Sequence, residues 1–200
     1  SLDLMQKLSG NNNAVIDFPI SGDTESQKFA LELITEYNPS LIISIERCGR
    51  TAEGTYLNMY GTDISEYNAK IDYLFYSHPK TIGIADGGNE IGMGNYADII
   101  SKTEGLPNKP SVTKTTHTII SSVSNWGGYG LVAELSKLIK HNLLFPLNEE
   151  NELIKQAIKY GAVDGITKKH EPKVDGFSLD ENDKVLRKLH RFVNEYLLNI

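Results

Sequence analysis

Residues 86–94 read DGGNEIGMG and combine two carboxylates with four glycines. Asp86 and Glu90 stand four residues apart with Asn89 between them, and these side chains offer the hard oxygen ligands that Mg²⁺ and Mn²⁺ prefer. The stretch lacks the Gly-Lys-Ser/Thr ending of a P-loop and fits a dinucleotide fingerprint poorly. Two interpretations are therefore equally favoured: a functional site, or a glycine-rich turn that Asp86 caps.

A second polar cluster, IERCGRTAEG at residues 45–54, supplies Glu46, Arg47 and Arg50. The planar fork of an arginine binds a carboxylate or a phosphate through two hydrogen bonds. The glutamate beside the arginines can act as a ligand, as a base or as the partner in a structural ion pair. Taken alone, this cluster favours the ion pair, because most such pairs are structural.

A third cluster, SNWGGYG at residues 124–130, predicts a tight turn between a strand and a helix. Ser124 and Asn125 can orient a substrate, and two glycines, Gly127 and Gly128, let the backbone come close to it. For Trp126 we expect packing over the turn, since a large aromatic side chain is most often buried for its apolar surface.

Charge and composition restrict the function classes. A formal net charge of −6 and a pI near 5.4 argue against nucleic acid or an anionic membrane as the main partner. A single cysteine, Cys48, excludes an internal disulfide and a cysteine-based zinc site. No evident base stands beside this thiol, and the histidines lack metal-ligand spacing. We expect a cytoplasmic protein with a small-molecule substrate, which can form a homo-oligomer.

Each of the three clusters directly follows a predicted strand. Apolar runs typical of strands buried on both faces occupy residues 41–45, 81–85 and 117–123. Helical periodicity occurs at residues 26–37, 96–102, 130–141, 151–160 and 183–198. This alternation predicts an α/β fold, a Rossmann-like three-layer α/β/α arrangement with a mostly parallel sheet, in one domain over residues 1–200. Ligands of such folds bind beyond the carboxyl ends of the strands, where each cluster lies.

Four strings, in order, carry a resemblance to a known family: SIERCGRTAEGTYLNMYGTDIS, TIGIADGGNEIGMGNYAD, VSNWGGYGLVAEL and GAVDGIT. Between about residues 40 and 176 the sequence resembles the D-glutamate cyclase domain family. The Glu-Thr-Asp-Gly-Pro-like segment with which that domain usually begins is not found here. The resemblance implies a lyase that closes D-glutamate to 5-oxo-D-proline with loss of water. It also implies a divalent metal, Mn²⁺ or Mg²⁺.

This resemblance and the residue types together give a hypothesis for the site. The catalytic candidates are Glu46, Asp86 and Glu90, and the metal candidates are Asp86, Glu90 and Asn89. The substrate-binding candidates are Arg47, Arg50, Gly87, Gly88, Asn89, Ser124, Asn125, Gly127 and Gly128. Two alternatives stay open. The same residue types suit a metal-dependent phosphohydrolase. They also suit a small-anion binding module in which the acidic residues only cap helices.

Overall fold

The computed structural model describes residues 5, 6, 8 and 14–199, and the chain divides into two compact units. Residues 18–127 form the first, which we call the sheet unit. Residues 1–17 and 128–200 form the second, the helical unit. The predicted single domain over residues 1–200 stays a prediction.

The sheet unit is built around three parallel strands. Its elements are α1 (Asp23–Tyr37), β1 (Ile42–Ile45), α2 (Asp72–Ser77), β2 (Thr81–Ala85), α3 (Ala97–Ile100) and β3 (His117–Ile120), with 3₁₀ turns at Ser65–Tyr67 and Met93–Tyr96. The strand order is β1-β2-β3, with Ile45 beside Ile84 and Ile84 beside Ile119. The predicted α/β class and parallel pairing are confirmed, whereas the Rossmann-like three-layer arrangement stays a prediction.

Strand burial differs from the prediction at the two outer strands. The central strand β2 has the predicted bounds, and its residues are buried or half-buried. The expectation that β1 and β3 are buried on both faces is wrong, because Ile45 is 53% exposed and Ile120 is 57% exposed. Ile45 and Ile120 are the last residues of β1 and β3, and both strands lie at the edges of the sheet.

A close contact between two glycines folds residues 86–94 back over the sheet. Gly92 has a φ of 101°, and a Cβ atom added to it would lie 2.9 Å from the Cα atom of Gly83 in β2. A Cβ atom on Gly83 would lie 2.8 Å from the Cα atom of Gly92. Neither position has room for a side chain, so this backbone contact accounts for one glycine of the DGGNEIGMG stretch.

The helical unit contains helices and a short antiparallel hairpin. Its elements are most of α4 (Ser124–Ile139), then α5 (Leu147–Lys159), β4 (Lys173–Val174), β5 (Phe177–Ser178) and α6 (Leu179–Leu198). A capping box, in which Ser178 and Glu181 exchange hydrogen bonds, fixes the start of α6. The core of the unit includes Ala133, Leu144, Leu186 and Val193.

The predicted turn at SNWGGYG is wrong, since α4 begins at Ser124 and includes both glycines. The physical reason lies in the first helical turns. Asp86 accepts hydrogen bonds at the start of the helix, and a Cβ atom on Gly127 would lie 2.7 Å from the side chain of Ile84. Gly127 thus allows the first turn of α4, which belongs to the sheet unit, to pack closely on β2.

Candidate active site

Two acidic side chains meet at the carboxyl edge of the sheet. Glu46 follows β1 and Asp86 follows β2, and since the strands are parallel and adjacent, both residues leave the sheet at the same edge. Their nearest carboxylate oxygens lie within 4.8 Å of one another. Both residues lie beyond the carboxyl ends of their strands, as their positions in the sequence predict, and they lie close together.

Glu46 has an unusual backbone conformation. Its φ is 52°, in the left-handed region that costs a residue with a side chain about 1–2 kcal/mol. The backbone N–H of Glu46 donates to the carbonyl oxygen of Ile84 at 3.0 Å, which holds the residue at the end of the strand pair. Backbone strain of this kind is concentrated at functional sites, and the Glu46 side chain is exposed.

Asp86 is held by the start of α4. Its Oδ2 atom accepts hydrogen bonds from the backbone N–H of Ser124 at 2.8 Å and from the hydroxyl of Ser124 at 2.9 Å. In the described part of the chain, its other oxygen, Oδ1, accepts none. Asp86 is half-buried, so one carboxylate oxygen is fixed while the other is available for a ligand.

Glu90 folds into its own turn. It is only 3% exposed, and its Oε1 and Oε2 atoms accept hydrogen bonds from the N–H groups of Gly87 at 2.8 Å and Gly88 at 2.7 Å. Burial raises the pKa of Glu90, and the negative charge of Asp86 raises that pKa further. These contacts indicate a residue that shapes the turn, while its predicted roles as catalyst and metal ligand stay predictions.

Asn89 contacts the segment that follows β1. Its side-chain Nδ2 atom donates to the backbone carbonyl oxygen of Leu57 at 3.1 Å. The backbone carbonyl oxygen of Asn89 accepts a hydrogen bond from the N–H of Gly49 at 2.8 Å. These bonds hold the glycine-rich turn against the segment after β1. The predicted contacts of Asn89 with metal or substrate stay predictions.

The two candidate arginines have different partners. Arg50 forms an ion pair with Asp23 of α1 at 3.0 Å. The predicted ion pair with the neighbouring Glu46 stays a prediction. Arg47 donates from Nη2 to the carbonyl oxygen of Ala69 at 2.9 Å. The cluster therefore contains one arginine in a structural pair and one that binds only a backbone carbonyl among the described residues.

The remaining candidates lie in and beside α4. Ser124 is fully buried and already bonded to Asp86, whereas the next residue, Asn125, is half-buried. Gly128 is the first residue of the helical unit. A substrate contact by any of these residues stays a prediction.

Sequence reasoning missed the buried carboxylate of Asp72, which is 1% exposed. It accepts hydrogen bonds from the N–H of Arg50 at 2.9 Å, the hydroxyl of Tyr56 at 2.6 Å and the hydroxyl of Thr113 at 2.5 Å. The carbonyl oxygen of Thr113 in turn accepts from the N–H of Gly92. Asp72 thereby links the segment after β1 to the glycine-rich stretch. Its donors are distant in sequence, so no local spacing could have revealed the network.

Cys48 is buried, and burial raises the pKa of its thiol to about 11. The thiol is therefore protonated near neutral pH, which agrees with the expectation that it is no nucleophile. No helix among the described residues is both long enough and apolar enough to cross a membrane.

The fold and these contacts define an α/β protein with an acidic pair at the carboxyl edge of a parallel sheet. A comparison with family models identifies the family. The model described as D-glutamate cyclase-like, C-terminal, matches residues 4–190, so the chain belongs to this family. The resemblance found in the sequence is confirmed.

A human protein named D-glutamate cyclase, mitochondrial, is similar to part of the chain. The two are 34% identical over an alignment of 100 residues, which covers 47% of this chain. The matched stretch spans only 16% of the length of the human protein. This partial match does not establish the activity of the chain, and its cellular location and oligomeric state stay predictions.

Proposed function

We propose that this protein is a lyase that converts D-glutamate to 5-oxo-D-proline and water with the help of a divalent metal ion. Membership of the D-glutamate cyclase-like family supports this proposal. The observation that carries it is the pair of Glu46 and Asp86, whose oxygens lie within 4.8 Å of one another where two parallel strands end. Ligand sites of parallel α/β sheets occupy this edge.

The reaction sets clear demands on the site. The α-amine must lose protons and attack the γ-carboxyl carbon, the new C–N bond closes the ring, and one γ-carboxyl oxygen leaves as water. A carboxylate is a poor electrophile because its charge repels the nucleophile. Holding the substrate folded makes the attack effectively unimolecular, and this positioning can supply a large part of the rate.

The residues at this edge fit a divalent cation. Adjacent ligand oxygens around an octahedral Mg²⁺ lie about 3 Å apart and opposite ones about 4 Å apart, so an upper limit of 4.8 Å between Glu46 and Asp86 oxygens permits a shared ion. Glu46 is exposed and the Oδ1 atom of Asp86 is available. When bound, such an ion supplies Lewis-acid polarisation of the carboxyl group.

The chain's own residues would bind the substrate and move its protons. Glu46 is the best-placed base for the α-amine, because its side chain is exposed beside Asp86. Asn125 is a better candidate than Ser124 for a substrate hydrogen bond, since the hydroxyl of Ser124 already donates to Asp86. An arginine after β1 would bind the α-carboxylate. Glu90 and Asn89 remain candidate ligands in this scheme.

A metal-dependent phosphohydrolase is the second candidate. The acidic pair and the neighbouring arginines suit the charge of a phosphoryl group as well as that of a carboxylate. A small-anion binding module, which binds such ligands without turnover, is the third. A measurement of the reaction products distinguishes these two candidates from the cyclase.

The test is to incubate the purified protein with D-glutamate, L-glutamate and an aryl phosphate, each with Mn²⁺ and with a chelator, and to separate the products by chromatography. We expect 5-oxoproline from D-glutamate alone, and none in the chelated sample. Asp86→Asn and Glu46→Gln should abolish product formation, while Asp98→Asn, on exposed helix surface, should leave it intact. Phosphate release without 5-oxoproline would replace the cyclase with the hydrolase, and binding without any product would favour the binding module.

A further inference from the structure

The guanidinium of Arg50 is paired with the carboxylate of Asp23, which also belongs to the sheet unit. Its Nη1 and Nη2 atoms donate to Oδ1 and Oδ2 of Asp23 at 3.0 and 3.3 Å, and Nη1 also lies 3.5 Å from the hydroxyl of Tyr73. Both oxygens of Asp23 are thus bonded to the two ends of one guanidinium, the bidentate arrangement of a strong pair. The planar fork of Arg50 therefore ties α1 to the segment after β1.

Arg47 has no such carboxylate partner within the part of the chain that the structure describes. None of the ion pairs between described residues involves Arg47. Its Nη2 atom donates to the backbone of Ala69, and its Nε atom is buried without a hydrogen-bond partner among the described residues. Buried donors are nearly always paired in native proteins, and an unpaired one is explained by a functional role or by a water or ion bound to it.

The backbone of Arg47 is fixed beside the acidic pair. Arg47 follows Glu46 directly, and its carbonyl oxygen accepts a hydrogen bond from the N–H of Ile91 at 2.8 Å. The segment after β1 is thereby held against the glycine-rich stretch that begins with Asp86. The backbone of Arg47 is therefore held next to Glu46 by a contact that does not depend on the arginine side chain.

Building on the proposed function, we propose that Arg47 is the receptor for the α-carboxylate of the substrate and that Arg50 is a structural residue. The α-carboxylate would pair with the guanidinium of Arg47, which forms no ion pair with another described residue. Because ring closure consumes the amine and the γ-carboxyl group, the α-carboxylate is the charged group that D-glutamate and 5-oxo-D-proline share. Arg47 therefore binds substrate and product alike.

The test compares the binding of three probes by calorimetry: D-glutamate, 5-oxo-D-proline and 4-aminobutanoate, which is glutamate without its α-carboxylate. We expect Arg47→Gln to weaken the first two by about 10- to 100-fold, the range for a charge-assisted hydrogen bond. 4-Aminobutanoate should bind weakly and equally to the wild-type protein and the variant. Lys109→Gln, which removes an exposed charge of the same unit, should bind all three like the wild type.

Two further variants separate the arginines. Arg47→Lys keeps the charge but loses the planar fork, so we expect an intermediate loss of affinity even if Arg47→Gln folds poorly. Arg50→Gln should lower the thermal unfolding midpoint and weaken binding less than Arg47→Gln does. Equal D-glutamate affinity in wild type and Arg47→Gln, a larger loss in Arg50→Gln, or no binding of either carboxylate by the wild type would overturn the assignment.

These outcomes also distinguish the assignment from the proposed function. Arg47-dependent binding of D-glutamate without any 5-oxoproline would support the receptor role and reject the cyclase. Formation of 5-oxoproline by Arg47→Gln with an unchanged KM would support the cyclase and reject the receptor role.

Discussion

Asp86 binds Ser124 twice, since one oxygen of its carboxylate accepts both the backbone N–H and the hydroxyl of this serine. The acidic residue that follows β2 therefore accepts hydrogen bonds from the first residue of α4, and the position of the carboxylate depends on the helix. Of the two bonds, only the one from the hydroxyl can be removed by a side-chain substitution.

Ser124→Ala should destabilise the protein through this bond. A hydrogen bond to a charged group contributes about 1.5–3 kcal/mol, so we expect the free energy of unfolding to fall by that amount. Ser122→Ala is the control, because Ser122 is exposed two residues earlier and should change stability by less than about 0.5 kcal/mol. Urea titrations of the two variants measure the difference, and equal stabilities would contradict the helix-start role.

Glu90→Gln should loosen the glycine-rich turn. The carboxylate presents an acceptor to each of two N–H groups, whereas a glutamine presents one acceptor and turns a donor toward the other glycine. We expect a loss of about 1–3 kcal/mol in the free energy of unfolding, because one buried N–H is left unpaired. Glu104→Gln on the exposed surface is the matched control. A Glu90→Gln variant as stable as this control would rule out the turn-shaping role.

Burial of the Cys48 thiol should lower the free energy of unfolding at high pH. Burial raises the pKa of its thiol from 9.0 to about 11, so between these values the unfolded chain releases a proton that the folded chain keeps. The free energy of unfolding therefore falls as the pH rises, by up to about 1.4 kcal/mol per pH unit. We expect Cys48→Ala to lose stability less steeply than the wild type between pH 9 and 11. Parallel slopes in urea titrations across this range would contradict a buried, protonated thiol.

Asp72→Ala should be strongly destabilising. Three donors, on Arg50, Tyr56 and Thr113, lose their acceptor when the carboxylate is removed. Since each buried unpaired donor costs about 1–3 kcal/mol, we expect a loss of at least about 3 kcal/mol in the free energy of unfolding. Asp98→Ala removes an exposed carboxylate instead and should have little effect. A loss at Asp72 no greater than at Asp98 would show that the network contributes little.

The central strand and the position of Asp86 could be predicted because their signals are local, whereas the carboxylates paired from the sequence were Asp86 and Glu90 rather than Glu46 and Asp86. An apolar run followed by a polar residue marks both the end of β2 and the position of Asp86, and parallel pairing then brings Glu46 to the same edge. Other local signals were missed. The Ser178 and Glu181 capping box begins α6 before the predicted residue 183, and the dipeptide Asp175-Gly176 marks the turn of the β4-β5 hairpin.

The network of Asp72 could not be predicted, because nothing in the sequence brings Tyr56, Asp72 and Thr113 together. These residues are 16 and 41 positions apart and meet only in the folded sheet unit. The different partners of Arg47 and Arg50 could not be predicted from the sequence for the same reason. Spacing identified two arginines near a glutamate, but the ion pair with Asp23 comes from a helix that precedes β1.

Gly83 and Gly130 should respond in opposite ways to the same substitution. A Cβ atom at Gly83 would collide with the backbone of Ile91 and Gly92, so Gly83→Ala must push the glycine-rich stretch away from β2. We expect a loss of about 1–3 kcal/mol in the free energy of unfolding, as for an overpacked core.

Gly130 provides the contrast, since it lies within α4 and a Cβ atom there meets nothing within 4 Å. Gly130→Ala should stabilise the protein by about 0.5–1 kcal/mol, because alanine loses less conformational entropy in a helix. Urea titrations of both variants provide the measurement. If Gly83→Ala proved as stable as Gly130→Ala, the close approach of Gly83 and Gly92 would not be what holds residues 86–94 over the sheet.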